Sequence, residues 1–285
     1  MKKRPHKISN KQSADLKEKK EKIREIKARV AASRVQPPLR LNQYIAKAGV
    51  CSRREADALI QRGDIKVNGK VVKEMGMQVT PGKDEVEYKG NILNPQKNVY
   101  ILLNKPKNMI AATSDERGRK IVMDVIERVT KERVYPVGSL DRNTTGLLLL
   151  TNDGKLAERI TKAPEGMRQV FKATLDKPIT PEHLEKLAEG VVLEEGPAKV
   201  DSIGYANPTD LTVVGLEIQQ GRTHMIRGMF SALGYEVTGL DRTMLGTLTK
   251  KNLPRGKWRE LTFQEVSWLK MLQPPADALV PKKKK

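Results

Sequence analysis

Cysteine, histidine and aromatic side chains are scarce in this 285-residue chain. Cys51 is the single cysteine, which excludes an intrachain disulfide framework and a thiolate metal cluster. The three histidines, His6, His183 and His224, lie far apart, so no zinc site and no other metal is expected. Phe, Trp and Tyr together reach 4%, so the core must be aliphatic. No stretch approaches the roughly 20 apolar residues of a membrane helix. The N-terminus is basic, but no apolar segment follows it as in a secretory signal. What the chain has in excess is positive charge: 54 Lys and Arg against 34 Asp and Glu, a formal +20. Such a surplus speaks about partners, and nucleic acid leads the polyanions. An acidic membrane surface ranks second, since no segment pairs a basic face with a large aromatic-rich apolar one. These absences point to a cytoplasmic protein that needs no metal.

The charge is uneven. Residues 1 to 37 hold 13 Lys or Arg and 4 Asp or Glu, a local 13 − 4 = +9. The segment "DLKEKKEKIREIKARVAA" lacks an apolar stripe, so residues 1–38 read as a basic tail, disordered or a lone polar helix. A second basic tail, 273–285, ends in "PKKKK". Both tails are either solvated charge runs or arms that add non-specific attraction to phosphates.

Residues 39–97 read as a small α/β unit. Leu41, Tyr44, Ile45 and Ala48 fall at helical spacing, and Gly49 stops that helix. Ser52 and Glu55 have the spacing of a capping box that opens a second helix, closed by Gly63. Asn68-Gly69 is a hairpin signal. Lys47, Arg53, Arg54 and Arg62 lie on the two helices, where packing could gather them into one phosphate-binding patch. The stretch "LRLNQYIAKAGVCSRREADALIQRGDIKVNGKVV" closely resembles the alpha-L RNA-binding domain of the ribosomal-protein type.

Residues 98–272 form the larger unit. Six strand-like segments, among them "VYILLNKP", "GLLLLTND" and "YEVTGLDRTML", mix with four helix-like ones: "RKIVMDVIERV", "GKLAERITKA", "TPEHLEKLAEG" and "GRTHMIRGMFSAL". Several strands adjoin without a helix between them, which predicts an α+β fold on a largely antiparallel mixed sheet. Within it, "GSLDRNTTGLLLLTNDG" places Asp141 between Gly138 and Gly146, ahead of a leucine run. A carboxylate on a stiff turn beside an apolar wall suits a nucleophile. An aspartate in a glycine-flanked turn equally suits capping of its own backbone.

The string "VYPVGSLDRNTTGLLLLTNDGKLAERI" is similar to the signature of bacterial rRNA pseudouridine synthases of the RsuA, RluB and RluF family. The likeness continues through "LLNKPKNMIAAT", "QGRTHMIRGMFSALGYEV" and "GKWRELT", covering most of 39 to 270. The resemblance implies the pseudouridine synthase fold and isomerisation of a uridine in rRNA, without a cofactor. It implies that Asp141 is the nucleophile, attacking either C6 of the uracil or C1′ of the ribose. It makes Arg227 the basic partner of that aspartate, or a phosphate contact. It gives Phe171 the place of the family's tyrosine, as a ring that stacks on the flipped base or as core. Arg142, Arg222 and His224 become RNA contacts, and Ser139 replaces a usual arginine. "EGVVLEEGPAKV" and "LPRGKWREL" look most like the RluB-type branch, so large-subunit rRNA is the expected partner of a monomeric enzyme. Small-subunit rRNA is the alternative, and a non-catalytic RNA-binding or ribosome-assembly factor on the same fold is the rival.

Overall fold

The computed structural model describes residues 37–162, 166–219 and 223–272. The two basic tails and Arg222 therefore lie outside the described residues, apart from the last residues before Leu39. The chain divides into two compact units at Gln96 and Lys97.

In the first unit β1 (Leu39–Arg40) leads into α1 (Leu41–Lys47), and α2 (Arg53–Arg62) follows. The capping box is formed: the Glu55 amide donates to Ser52 Oγ at 3.3 Å, and the Ser52 amide donates to the Glu55 carboxylate at 2.6 Å. Gly63 closes α2 at φ +81°, a left-handed position that glycine takes without strain. Then come β2 (Ile65–Val67), β3 (Lys70–Val72), β4 (Gln78–Val79), β5 (Val86–Tyr88) and β6 (Asn91–Ile92). Asn68 and Gly69 both take positive φ, as a tight β2–β3 turn requires. Strands run in the order β3-β2-β5-β6, and β1 pairs with β4. Leu41, Ile45, Ala56, Ile60, Ile65 and Val86 form an aliphatic core, each at 1% exposure or less.

The second unit contains, in order, β7 (Tyr100–Lys105), α3 (Met123–Ile126), β8 (Tyr135–Val137), β9 (Thr144–Thr151), α4 (Gly154–Thr161) and β10 (Gln169–Leu175). There follow α5 (Pro181–Glu189), β11 (Val191–Leu193), β12 (Gly196–Ala198), β13 (Ser202–Tyr205), β14 (Val213–Ile218) and α6 (Thr223–Ala232). It closes with β15 (Val237–Leu245), β16 (Leu248–Thr249), β17 (Trp258–Glu260) and α7 (Phe263–Met271). The main sheet runs β13-β14-β10-β15-β9-β7-β17, with β16 on β15 and β8 on β9. Of these pairings only β15 with β9 is parallel, so the fold is α+β on a mostly antiparallel sheet.

The leucine run is explained by what lies on each side. All eight residues of β9 are buried. Leu148 and Leu150 face the larger core, which contains Met123, Leu187, Ile226 and Phe230. Leu147 and Leu149 face a second core, with Leu156, Ile160 and Leu269. A strand covered on both faces reads as continuous hydrophobicity instead of alternation. One expected helix is cut short. "RKIVMDVIERV" yields only the single turn α3, because Ile121 pairs with Ile110 in a β-bridge and gives its amide to the Asp124 carboxylate.

Candidate active site

The Asp141 turn starts where β8 ends. Gly138 takes φ +75°, Leu140 sinks into the larger core at 3% exposure, and half-buried Asp141 follows. The Thr144 amide donates to the Asp141 carbonyl at 3.1 Å, which closes the turn onto β9. Asp141 is thus carried between a buried anchor and a buried strand, which limits its freedom to move.

Beneath the turn lies a charge that the sequence reading did not single out. Lys105, at the end of β7, is 0% exposed. Its ammonium donates to the carbonyls of Met109 at 2.7 Å, Arg142 at 3.2 Å and Pro106 at 3.3 Å. The lysine therefore ties the residue after Asp141 to the loop that follows β7. Burial pulls its pKa from 10.5 down to about 8; the Asp141 carboxylate works against that shift and the Arg242 guanidinium adds to it.

Arg242 was legible only as part of a strand. It is 4% exposed, and burial lowers its pKa to about 10, so it stays cationic at neutral pH. Its Nε donates to the Leu147 carbonyl and its Nη1 to Gln169 Oε1, both at 2.8 Å, while Nη2 has no partner among the described residues. On one side of β9 the partner changes from β15, at Thr144–Gly146, to β8, at Leu149–Thr151. Arg242 fills the gap with a side-chain donor where the backbone ladder lapses.

Register brings these groups into one row. Lys105 pairs with Gly146, Gly146 with Arg242, and Arg242 with Phe171 across four adjacent strands. Paired residues share a sheet face, so the two cations and the ring lie on the side of the larger core. Phe171 is 1% exposed and packed within that core. In this state its ring is a packing element beside Arg242.

Arg227, on α6, is half-buried and donates from Nη1 to the Val237 carbonyl at 2.6 Å. Val237 lies three residues before Leu240, which pairs with Thr144, and Asp141 lies three residues before Thr144 on the parallel strand. Arg227 thus reaches the end of the sheet that bears the Asp141 turn. No ion pair joins the two side chains among the described residues. Arg142 is exposed. His224 is exposed and bonded to the Glu195 carboxylate at 3.0 Å, in the β11–β12 turn.

The small unit gathers part of its expected patch. Lys47 ends α1, and exposed Arg53 and Arg54 begin α2 a few residues later. Two cations in a first helical turn oppose the helix dipole, a local cost that an anionic partner would offset. Arg62 is at the far end of α2, about 13 Å away by helical rise, and pairs with Asp64 at 2.9 Å. Among the described residues no group of three His, Cys, Asp or Glu side chains is placed to hold a metal ion. No described helix is long and apolar enough to cross a membrane.

Comparison with known proteins adds to this geometry. Residues 99–232 match the family model described as RNA pseudouridylate synthase, and 39–86 match the S4 domain. The first span contains Asp141, Phe171 and Arg227. A Bacillus subtilis (strain 168) protein described as ribosomal large subunit pseudouridine synthase B is 42% identical over 237 residues, 82% of this chain and 96% of that one. The dual-specificity RNA pseudouridine synthase RluF of Escherichia coli (strain K12) is 35% identical, over 86% of this chain and 83% of its own. A crystal structure of a pseudouridylate synthase superposes with a TM-score of 0.58 at 31% identity, over 81% of this chain and 99% of the other.

Proposed function

This chain belongs to the RNA pseudouridine synthase family, and we propose from that premise that it isomerises a specific uridine of large-subunit rRNA, with Asp141 as nucleophile. The Asp141 turn carries the reading: a carboxylate held between the buried anchor Leu140 and the buried strand β9, with the Lys105 ammonium beneath it. The likeness to the Bacillus protein supports the choice of RNA.

The isomerisation begins with attack by the Asp141 carboxylate on the nucleoside. The N1–C1′ bond breaks, the uracil turns, a C5–C1′ bond forms, and the bond from Asp141 to the nucleoside breaks, which returns the free carboxylate. The proton lost from C5 is balanced by one gained at N1. Substrate and product have the same composition, so no oxidant, reductant or energy source enters. A stacked uridine hides both possible points of attack, so the nucleotide must flip out, at about a few kcal/mol. Lys105 holds the turn and keeps positive charge near the carboxylate. Arg227 turns from the Val237 carbonyl toward Asp141 or a phosphate when RNA binds. Phe171 backs the base pocket from the sheet. Lys47, Arg53 and Arg54 dock the RNA backbone, with Arg62, Arg142, Arg222 and His224 as further contacts. In this reading the enzyme works as a monomer on cytoplasmic rRNA.

The test uses purified enzyme and protein-free rRNA from cells lacking the gene. Pseudouridine should form at one position of the large-subunit RNA. Product in the small-subunit RNA alone would reassign the substrate. No product in either RNA, with binding intact, would overturn the catalytic reading.

A further inference from the structure

We infer that the turn of residues 250–257 is a rigid ridge that docks the RNA backbone beside the reacting nucleotide; the inference rests on the reading that this chain acts on RNA. Residues 246–257, "GTLTKKNLPRGK", contain four cations, Lys250, Lys251, Arg255 and Lys257, and no acid. Among the described residues the carboxylate paired with them is Asp241, 6% exposed on β15. It is ion-paired with Lys250, lies 3.7 Å from Arg255, and accepts from Thr145 Oγ1 at 2.8 Å. Burial alone would raise the Asp241 pKa; the Lys250 and Thr145 hydrogen bonds and the two cations outweigh it and hold the group ionised. Asp241 thus orients two of the cations and cannot neutralise four. Two exposed cations elsewhere in this unit each have a carboxylate of their own, Arg119 with Asp115 and Arg168 with Glu217, both at 2.6 Å.

The turn is held in shape before any ligand arrives. Buried Asn104 grips it three times. Its Nδ2 donates to the Leu253 carbonyl at 2.8 Å, its amide donates to the Lys257 carbonyl at 3.0 Å, and its carbonyl accepts from the Gly256 amide at 2.7 Å. Leu253 is 5% exposed in the second core, and Asn252 and Gly256 take positive φ. Every one of those bonds uses backbone groups of the turn, so none of them occupies a charged side chain. A surface that is already ordered loses less entropy on binding.

Position ties the ridge to the reaction. Asn104 immediately precedes Lys105, whose ammonium reaches the Arg142 carbonyl. Thr145, which anchors Asp241, is four residues beyond Asp141. The ridge therefore flanks the Asp141 turn from two neighbouring strands. Trp258 follows directly on the edge strand β17 and is 40% exposed. Cations that track phosphates, next to an exposed ring on which a base can stack, are the combination that single-stranded RNA binding uses.

The test removes three charges together, Lys251→Gln, Arg255→Gln and Lys257→Gln, leaving Lys250 on Asp241 and the Asn104 bonds in place. A control removes three outside the ridge, Lys155→Gln, Lys162→Gln and Lys186→Gln, for the same change in net charge. Affinity for protein-free large-subunit rRNA is measured against salt, with KM and kcat alongside. Each lost phosphate contact lowers the log–log salt slope by about 0.7–0.9, so the ridge variant should lose roughly 2 from its slope. Its loss should fall on KM more than on kcat, and the control should keep most of the parent slope. An unchanged slope and affinity, or an equal loss in the control, overturns the ridge. Failure of the parent enzyme to make pseudouridine would instead overturn the proposed reaction, and the binding comparison would still judge the ridge.

Discussion

Gly146→Ala should damage this protein far more than Gly138→Ala, although both glycines flank the Asp141 turn at positive φ, +105° and +75°. Around Gly138 an added Cβ meets nothing within 4 Å. At Gly146 it would sit inside the van der Waals shell of the Arg242 backbone nitrogen and carbonyl oxygen, 2.8 Å from the carbonyl carbon. That neighbour is backbone, pinned by the β9–β15 pairing at Thr144, Thr145 and Gly146, so it cannot swing aside. The strained φ costs about 1–3 kcal/mol and forcing the strands apart about another 1–3 kcal/mol. The sum, roughly 4 kcal/mol, corresponds to roughly 8–16 °C in Tm for a unit of this size. Gly138→Ala carries only the left-handed penalty, about 1–2 kcal/mol, hence a few degrees. Thermal unfolding of the two variants beside the parent makes the comparison. Arg242 would move with its strand, so Gly146→Ala should also lose turnover under conditions where it is folded. Equal Tm shifts for the two variants would refute the packing argument.

Variants at two further positions probe the row across the sheet. Phe171 is 1% exposed, so it stacks on the base only if RNA binding opens the core beside it. In that case Phe171→Leu should slow single turnover by about one to two orders of magnitude, from roughly 1–3 kcal/mol of stacking, while Phe171→Tyr is tolerated; equal rates for Leu and Phe, with only Tm lowered, would make the ring pure core. Folding lowers the Lys105 pKa from 10.5 to about 8, so between those values the unfolded chain holds a proton that the folded chain has lost, and stability contributed by this group rises with pH. Thermal unfolding from pH 7.5 to 10 should therefore show wild type gaining on Lys105→Met as pH rises, and a constant gap would contradict the burial of that ammonium.

The elements with strong local signals were legible. The Ser52–Glu55 box, the Asn68-Gly69 turn and the doubly buried leucine strand follow from residue types that have few other uses. Some short strands of the larger unit did not show. Trp258–Glu260 is three residues long and becomes a strand only because β7 offers an edge. Asp141 stood out as a candidate from its glycine-flanked turn and its resemblance. Lys105 and Arg242 could not be assigned roles, because their meaning lies in cross-strand register: each pairs with Gly146 from opposite sides. A lysine closing an apolar strand and an arginine inside another were visible signs of something unusual. Arg62 lies at the other end of its helix from Arg53 and is paired with Asp64, a separation and a partner that spacing alone did not show.

The most direct test is Asp141→Asn in living cells. Pseudouridines are mapped in the rRNA of a strain lacking the gene, complemented with the wild-type chain or with the asparagine variant at matched levels. The amide keeps the shape of the side chain but is a poor nucleophile. One large-subunit position should regain pseudouridine with the wild type and stay uridine with the variant, although the purified variant binds the same RNA. Restoration of pseudouridine by the asparagine variant, or a map identical with and without the gene, would contradict the account.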